Sequence, residues 1–217
     1  MARPGREDMA RAILARYPKS HAETMRIAVW RNTPAPLFRW LVMCLLFSAP
    51  ISGDLAAKAG RVLFGRGWRT ARNMAGSTWR ERVTVLNRAG SARYDESTAR
   101  YIGDATDLLL ERYRGDLRRL REAAGGDGAA IRERLKAFKG IGDVGADIFC
   151  REVQVAWDEL APFADRRALE VAGRLGLGRD ASTLAGLVGE GELPRLLSAL
   201  VRMDLAGETA AVRDEAP

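Results

Sequence analysis

Phe138-Lys-Gly-Ile-Gly-Asp-Val-Gly-Ala146 is the stretch on which the reading of this chain turns. Its centre, Gly140-Ile-Gly142-Asp-Val-Gly145, satisfies the dinucleotide-binding pattern G-x-G-x-x-G, which carries meaning only when a buried strand leads into the first glycine. The residues before it, Ile131-Arg-Glu-Arg-Leu-Lys-Ala-Phe138, place apolar side chains at helical spacing among strong helix formers. The glycines are therefore read as the tight turn between two helices, and a nucleotide cofactor is not expected. At such a turn the loop amides stand at the N-terminus of the second helix, where the dipole end favours an anion such as phosphate. Gly140 and Gly142 would permit positive φ and close approach of a partner, while Ile141 between them pins the loop to the core. On spacing alone, a plain αα-hairpin turn is the alternative.

Outward from the turn, nearly every periodic segment repeats its apolar residues at three and four, which predicts an all-α fold. Phe38, Leu41, Val42, Leu45 and Leu46 form one stripe, broken at Ser48-Ala-Pro-Ile-Ser-Gly53. Leu55, Ala56, Ala59, Val62 and Leu63 form the next, with Ser52 placed to cap it. Shorter helices are expected over Trp68 to Met74 and Thr78 to Ala89, and a longer one over Tyr94 to Tyr113. The glycines of Ala123 to Ala130 mark the best linker candidate. Beyond the hairpin, helices are expected over Ala146 to Val155, Arg166 to Leu175 and Leu193 to Leu205. The apolar run Leu37 to Ile51 is shorter than the roughly 20 residues of a membrane helix and reads as a buried helix. Met1 to Asp8 has no apolar core of a secretory signal, so a cytoplasmic location is expected.

The 217 residues, 47% hydrophobic and 29% charged, suffice for one large folded body or two small ones. With two cysteines and one histidine, a four-ligand zinc site and a Cys-ligated iron-sulfur cluster are nearly excluded, and no metal is expected. The net charge of +7 is unevenly spread. Residues 1 to 100 hold 18 Lys and Arg against 7 Asp and Glu, a balance of +11, whereas residues 101 to 217 hold 17 against 21, a balance of −4. A one-sided positive field attracts polyanions, nucleic acid first. Since 31 of the 35 basic residues are Arg, a base-composition bias of the coding DNA is the competing explanation.

Three markers together carry a resemblance: Leu46-Phe-Ser-Ala-Pro50 after an apolar helix, the hairpin Phe138 to Ala146, and Pro162-Phe-Ala-Asp165 opening a helix about twenty residues later. From about Pro34 to Leu205, about four-fifths of its length, the chain resembles the helix-hairpin-helix DNA glycosylase superfamily, the endonuclease III group. Gly140 to Cys150 looks most like the thymine glycosylase branch associated with methyl-CpG-binding proteins. The resemblance implies a two-lobed helical fold with a cleft between the lobes and double-stranded DNA as partner, held by Lys139, Gly140, Ile141, Gly142, Val144 and Gly145. It also implies a monomer, and no cofactor beyond a possible monovalent cation at the hairpin. The expected division is residues 1–33 as an N-terminal segment packing on the second lobe, 34–124 as a helical lobe, 125–206 as the hairpin lobe with the catalytic Asp, and 207–217 as a tail.

Asp165 stands just before a helix, so it reads first as an N-cap. The resemblance places the catalytic carboxylate at such a helix start, and the two roles are compatible. An ionised Asp there stabilises positive charge on a sugar as the base leaves and orients or deprotonates water. The base must first be extruded into a pocket. Trp40, Tyr94, Tyr101 and Trp157 are candidates to line it, with burial in the core as the alternative for each. Bifunctional relatives carry a Lys at the position of Val144. Valine forms no Schiff base, so a monofunctional enzyme is implied, with Lys139 as a phosphate contact.

Pro50 stands where relatives often have Gln, beside Ile51 as a candidate apolar wedge into the duplex. Asp143 and Asp147 add negative charge near the hairpin; Asp143 is expected to cap the second helix, and Asp147 either points away or pairs with Lys139. Three function classes follow: a base-excision repair glycosylase, with a bifunctional lyase as its variant; a catalytically silent duplex-binding module; and an all-helical interaction domain with incidental Arg richness.

Overall fold

The computed structural model describes residues 5–90 and 95–210. Their helices are α1 (Arg6–Arg16), α2 (His21–Thr24), α3 (Pro34–Ser48), α4 (Gly53–Gly65), α5 (Ala71–Ala75), α6 (Trp79–Ala89) and α7 (Asp95–Tyr113). These are followed by α8 (Leu117–Ala123), α9 (Gly128–Lys136), α10 (Asp143–Val153), α11 (Arg166–Arg174), α12 (Ala181–Val188) and α13 (Leu193–Leu205). No strand occurs among the described residues, as the apolar spacing predicts. Tyr94 lies outside them.

Local chemistry sets most of the helix ends. Pro34 opens α3, where its fixed φ suits the first turn and its missing N–H costs nothing. Ser52 accepts from the Leu55 amide at the start of α4. Thr78 and Glu81 form a reciprocal capping box before α6. Helix α10 starts at Asp143, three residues earlier than expected, so the hairpin turn is shorter than the glycine spacing suggests.

The chain forms two compact units. Residues 27–149 make one, in which α3 packs on α4, α7 and α8, and α6 packs on α4 and α7. Ten residues of α3, from Pro36 to Leu46, are buried, which accounts for a helix apolar on every side. No helix among the described residues is long and apolar enough to cross a membrane. The other unit joins residues 1–26 to 150–217, where α1, α11, α12 and α13 enclose a core of Ile13, Val171, Leu177, Leu184, Leu196 and Leu200.

The N-terminal segment groups with the C-terminal residues, and the units divide at 26/27 and 149/150. The short turn Val29–Arg31 packs on α3, so the first boundary falls at 26/27 rather than 33/34. The expected linker at Gly125-Gly126 is a tight reversal. Both glycines take positive φ, Asp127 caps α9 through the Ala129 amide at 2.8 Å, and α9 packs back on α8. Phe138, just past α9, is fully buried 6.4 Å from Tyr113, ring centre to ring centre. The hairpin therefore belongs to the unit of residues 27–149, and α10 carries the chain from that unit into the other.

Candidate functional site

The hairpin is built within residues 27–149. Gly140 adopts φ +92, and a Cβ placed on it would lie 2.9 Å from both Leu45 Cδ2 and Tyr101 Cδ2. Backbone conformation and packing both require glycine there. Gly142 has no positive φ, and a Cβ on it would meet nothing within 4 Å, so of the two glycines that permit left-handed backbone only Gly140 uses it. At Gly145 a Cβ would come within 2.8 Å of Ser48 Oγ and 3.2 Å of Ile141 Cδ1, so this glycine lets α10 lie against the end of α3. Ile141 is buried, and its amide donates to the Phe138 carbonyl at 2.9 Å, closing the turn. Val144, by contrast, is 63% exposed.

The charges around the turn are balanced by α9. Arg132 reaches Asp147 at 2.7 Å and Asp143 at 3.0 Å, and Lys136 reaches Asp143 at 3.1 Å. Lys136 first, then Arg132, holds the Asp143 carboxyl below the usual carboxylate range. Asp147 thus pairs with Arg132, not with Lys139. Lys139 is largely exposed; its Nζ lies 3.8 Å from Asp104 Oδ2 and 5.8 Å from the centre of the Tyr101 ring. The two carboxylates near the hairpin are neutralised within the protein, and Lys139, Gly140 and Gly142 stay at the surface.

The expected pocket and wedge residues separate. Trp40 and Trp157 are fully buried and serve as core of their respective units. Trp40 lies in the apolar helix α3, whereas Trp157 is buried although Asp158 and Glu159 follow it directly. Tyr101 is half-buried, with its ring edge against Gly140, so it supports the hairpin. Pro50 is exposed and Ile51 half-buried at the break after α3. Cys44 and Cys150 are both buried, and two thiols are too few for a four-thiolate cluster.

Asp165 lies in the other unit and is 6% exposed. It is the N-cap of α11, its Oδ1 accepting from the Ala168 amide at 3.1 Å. Its Oδ2 accepts from Arg151 Nη1 at 2.9 Å. Two residues upstream, Gln154 clamps the backbone: its Nε2 donates to the Phe163 carbonyl at 2.8 Å, and its Oε1 accepts from the Phe163 amide at 2.9 Å. Buried Glu152 accepts from Ser198 Oγ at 2.5 Å and from the Ala22 amide at 3.1 Å. His21 Nδ1 stands 3.4 Å from Arg151 Nη2. A guanidinium only donates, so this contact calls for a lone pair on Nδ1.

Arg151, Glu152, Gln154, Ser198 and His21 were not legible as site residues. The available signal was the charged pair Arg151-Glu152 inside the otherwise apolar run Ile148 to Val153, because charges on an apolar helix face are kept only when partnered. Burial, followed by the guanidinia of Arg151 and Arg202, holds His21 well below the usual imidazole range. The unfolded chain takes up a proton near pH 6.5 and the folded one does not, so this contribution is complete above that pH and is lost as the pH falls below it. Thermal unfolding should show about 1 kcal/mol less stability at pH 5.5 than at pH 7 from this group. His21→Gln should flatten that dependence, and an unchanged pH slope in the variant would count against it.

No protein-family model and no curated protein matches the chain. Among solved structures it is similar to a trapped covalent intermediate of endonuclease III with DNA, an estranged-adenine complex, at TM-score 0.54 and 20% identity, over 89% of this chain and 82% of that one. It is similar also to a non-covalent endonuclease III–DNA complex, at TM-score 0.55 and 20% identity, over 89% of this chain and 81% of that one. With the glycine hairpin opening α10 and a carboxylate capping α11, the chain has the endonuclease III fold.

Proposed function

We propose that this chain is a monofunctional DNA glycosylase of base-excision repair. The observation that carries the reading is Asp165, an N-capping carboxylate fixed by a buried guanidinium at the start of α11, in a fold shared with endonuclease III. The hairpin amides and Lys139 hold the phosphate backbone of a duplex. The target nucleotide is extruded, and its C1′–N bond lengthens as positive charge builds on the sugar facing Asp165. The base departs with the bonding electrons and takes up a proton. Water adds its oxygen to C1′ and gives a proton to the Asp165 carboxylate, leaving an intact strand with an abasic site.

Val144 supports the monofunctional form, because its side chain offers no nucleophile for a Schiff base. The likeness of Gly140 to Cys150 to the thymine branch favours T or U opposite G as the target. The reaction requires no cofactor, and the chain acts as a monomer. A second reading, a silent duplex-binding module, draws on the same carboxylate, since Asp165 is nearly buried and both its oxygens already accept hydrogen bonds.

A panel of end-labelled duplexes, each with one mismatched or damaged base, tests these readings. Fragments appearing only after hot alkali are expected. Cleavage without alkali would overturn the assignment of Val144. Tight, salt-sensitive duplex binding with no abasic product from any duplex would leave the silent module.

A further inference from the structure

Outside the hairpin, two adjacent buried charges, Arg151 and Glu152, lie at the end of α10. The Arg151 side chain is 4% exposed and that of Glu152 1%. Withdrawing a guanidinium from water this far is costly unless its donors are used. Arg151 directs Nη1 to Asp165 Oδ2 at 2.9 Å and Nη2 toward His21 Nδ1 at 3.4 Å, and its Nε lies 3.7 Å from Glu152 Oε1. Glu152 is itself anchored by Ser198 of α13 and by the His21 and Ala22 amides at the start of α2. The guanidinium is thus fixed from three elements.

Capping α11 does not call for such an arrangement. One oxygen of Asp165 on the Ala168 amide suffices for a cap, and Asp180 and Asp127 cap α12 and α9 with no buried cation beside them. A buried ion pair is also weak as a device for stability, because desolvation consumes much of the attraction. What the pair does supply is geometry. With one oxygen on a backbone amide and the other on a planar guanidinium, the carboxylate cannot rotate about its Cβ–Cγ bond, and its unused lone pairs keep fixed directions.

We propose that Arg151 is the positioning residue of Asp165, fixing the orientation in which that carboxylate meets the sugar and its attacking water; the role rests on the glycosylase reading above. Glu152, Ser198 and His21 fix Arg151 in turn. A mere strut makes a different prediction: its loss lowers the folded fraction, and binding and chemistry then fall together.

The test uses the full chain and the duplex from the panel on which the wild type is most active, with single-turnover base release at saturating protein, duplex Kd and Tm measured side by side. Arg151→Met should slow release about 100-fold, as expected for misplacing a catalytic group, with Kd within about twofold of wild type. Arg151→Lys keeps the charge but not the planar fork, and should lose about tenfold in rate, again at wild-type Kd. If the methionine variant does not fold, the lysine variant decides. Release within about twofold of wild type in Arg151→Lys, or a rate loss matched by an equal loss of binding, overturns the proposal. A wild type that releases no base from any duplex overturns the glycosylase reading and this role with it. An active wild type with an unaffected Arg151→Lys overturns this role alone.

Discussion

Asp165→Asn is expected to lower single-turnover base release by about 10³-fold while leaving duplex affinity within about twofold of wild type. Asparagine keeps the shape of the side chain and still accepts from the Ala168 amide, so α11 keeps its cap. Arg151 loses an anionic acceptor and its Nη1 faces the amide nitrogen of the substituted side chain, but Glu152 Oε1 still lies 3.7 Å from its Nε as a counter-ion, so a lower Tm is expected beside the rate loss. In the proposed reaction, what disappears is the negative charge that faces the sugar and the acceptor for the proton of water. The measurement that decides is release at saturating protein beside fluorescence anisotropy on the same duplex. Full activity in the variant would remove Asp165 from the chemistry, and loss of activity and binding in parallel would make its role structural.

The second large effect is expected at the hairpin. Gly140→Ala should lower the stability of the protein by about 3 kcal/mol, combining the cost of a non-glycine residue at positive φ with that of overpacking. A Cβ there would lie 2.9 Å from Leu45 Cδ2 and from Tyr101 Cδ2, both on helices that form the body of residues 27–149. For a chain of this size the shift is about 6–12 °C in Tm. Duplex affinity should fall as well, because the loop amides move with the backbone. Gly142→Ala is the informative contrast. Its Cβ meets nothing within the protein, so it should leave Tm within about 2 °C of wild type, as for other unconstrained surface positions. Weakened duplex binding in Gly142→Ala at unchanged Tm would show that the partner occupies that open space. Equal loss of stability in the two variants would contradict the packing described for Gly140.

Charge around the hairpin illustrates how sequence and structure divide the information. Asp143 and Asp147 read as obstacles to a phosphate when counted along the chain. Arg132, on the preceding helix, neutralises both, and Lys136 shares the task at Asp143. Periodicity places these cations on α9, but which carboxylate each one reaches depends on the angle at which the hairpin closes. Trp40 and Trp157 show the same division, since an aromatic on an apolar face is equally consistent with a pocket wall and a core, and only packing assigned both to the core.

The sequence by itself determined that the chain is helical, the bounds of α6, α7, α11 and α13 to within about a residue, that the glycine pattern is a hairpin rather than a nucleotide loop, and that Asp165 caps α11. Each of these properties is written within a turn or two of chain: apolar spacing, the caps Ser52 and Thr78, the residue before a helix. Tertiary structure decided that the units divide at 26/27 and 149/150, that Gly140 but not Gly142 needs its missing side chain, and that Asp165 is held by Arg151. Glu152 meets Ser198 from 46 residues away, and the Ala22 amide from 130. Such pairs form because separate helices bury their charges against one another, and no local spacing in the chain records which distant partner will stand opposite.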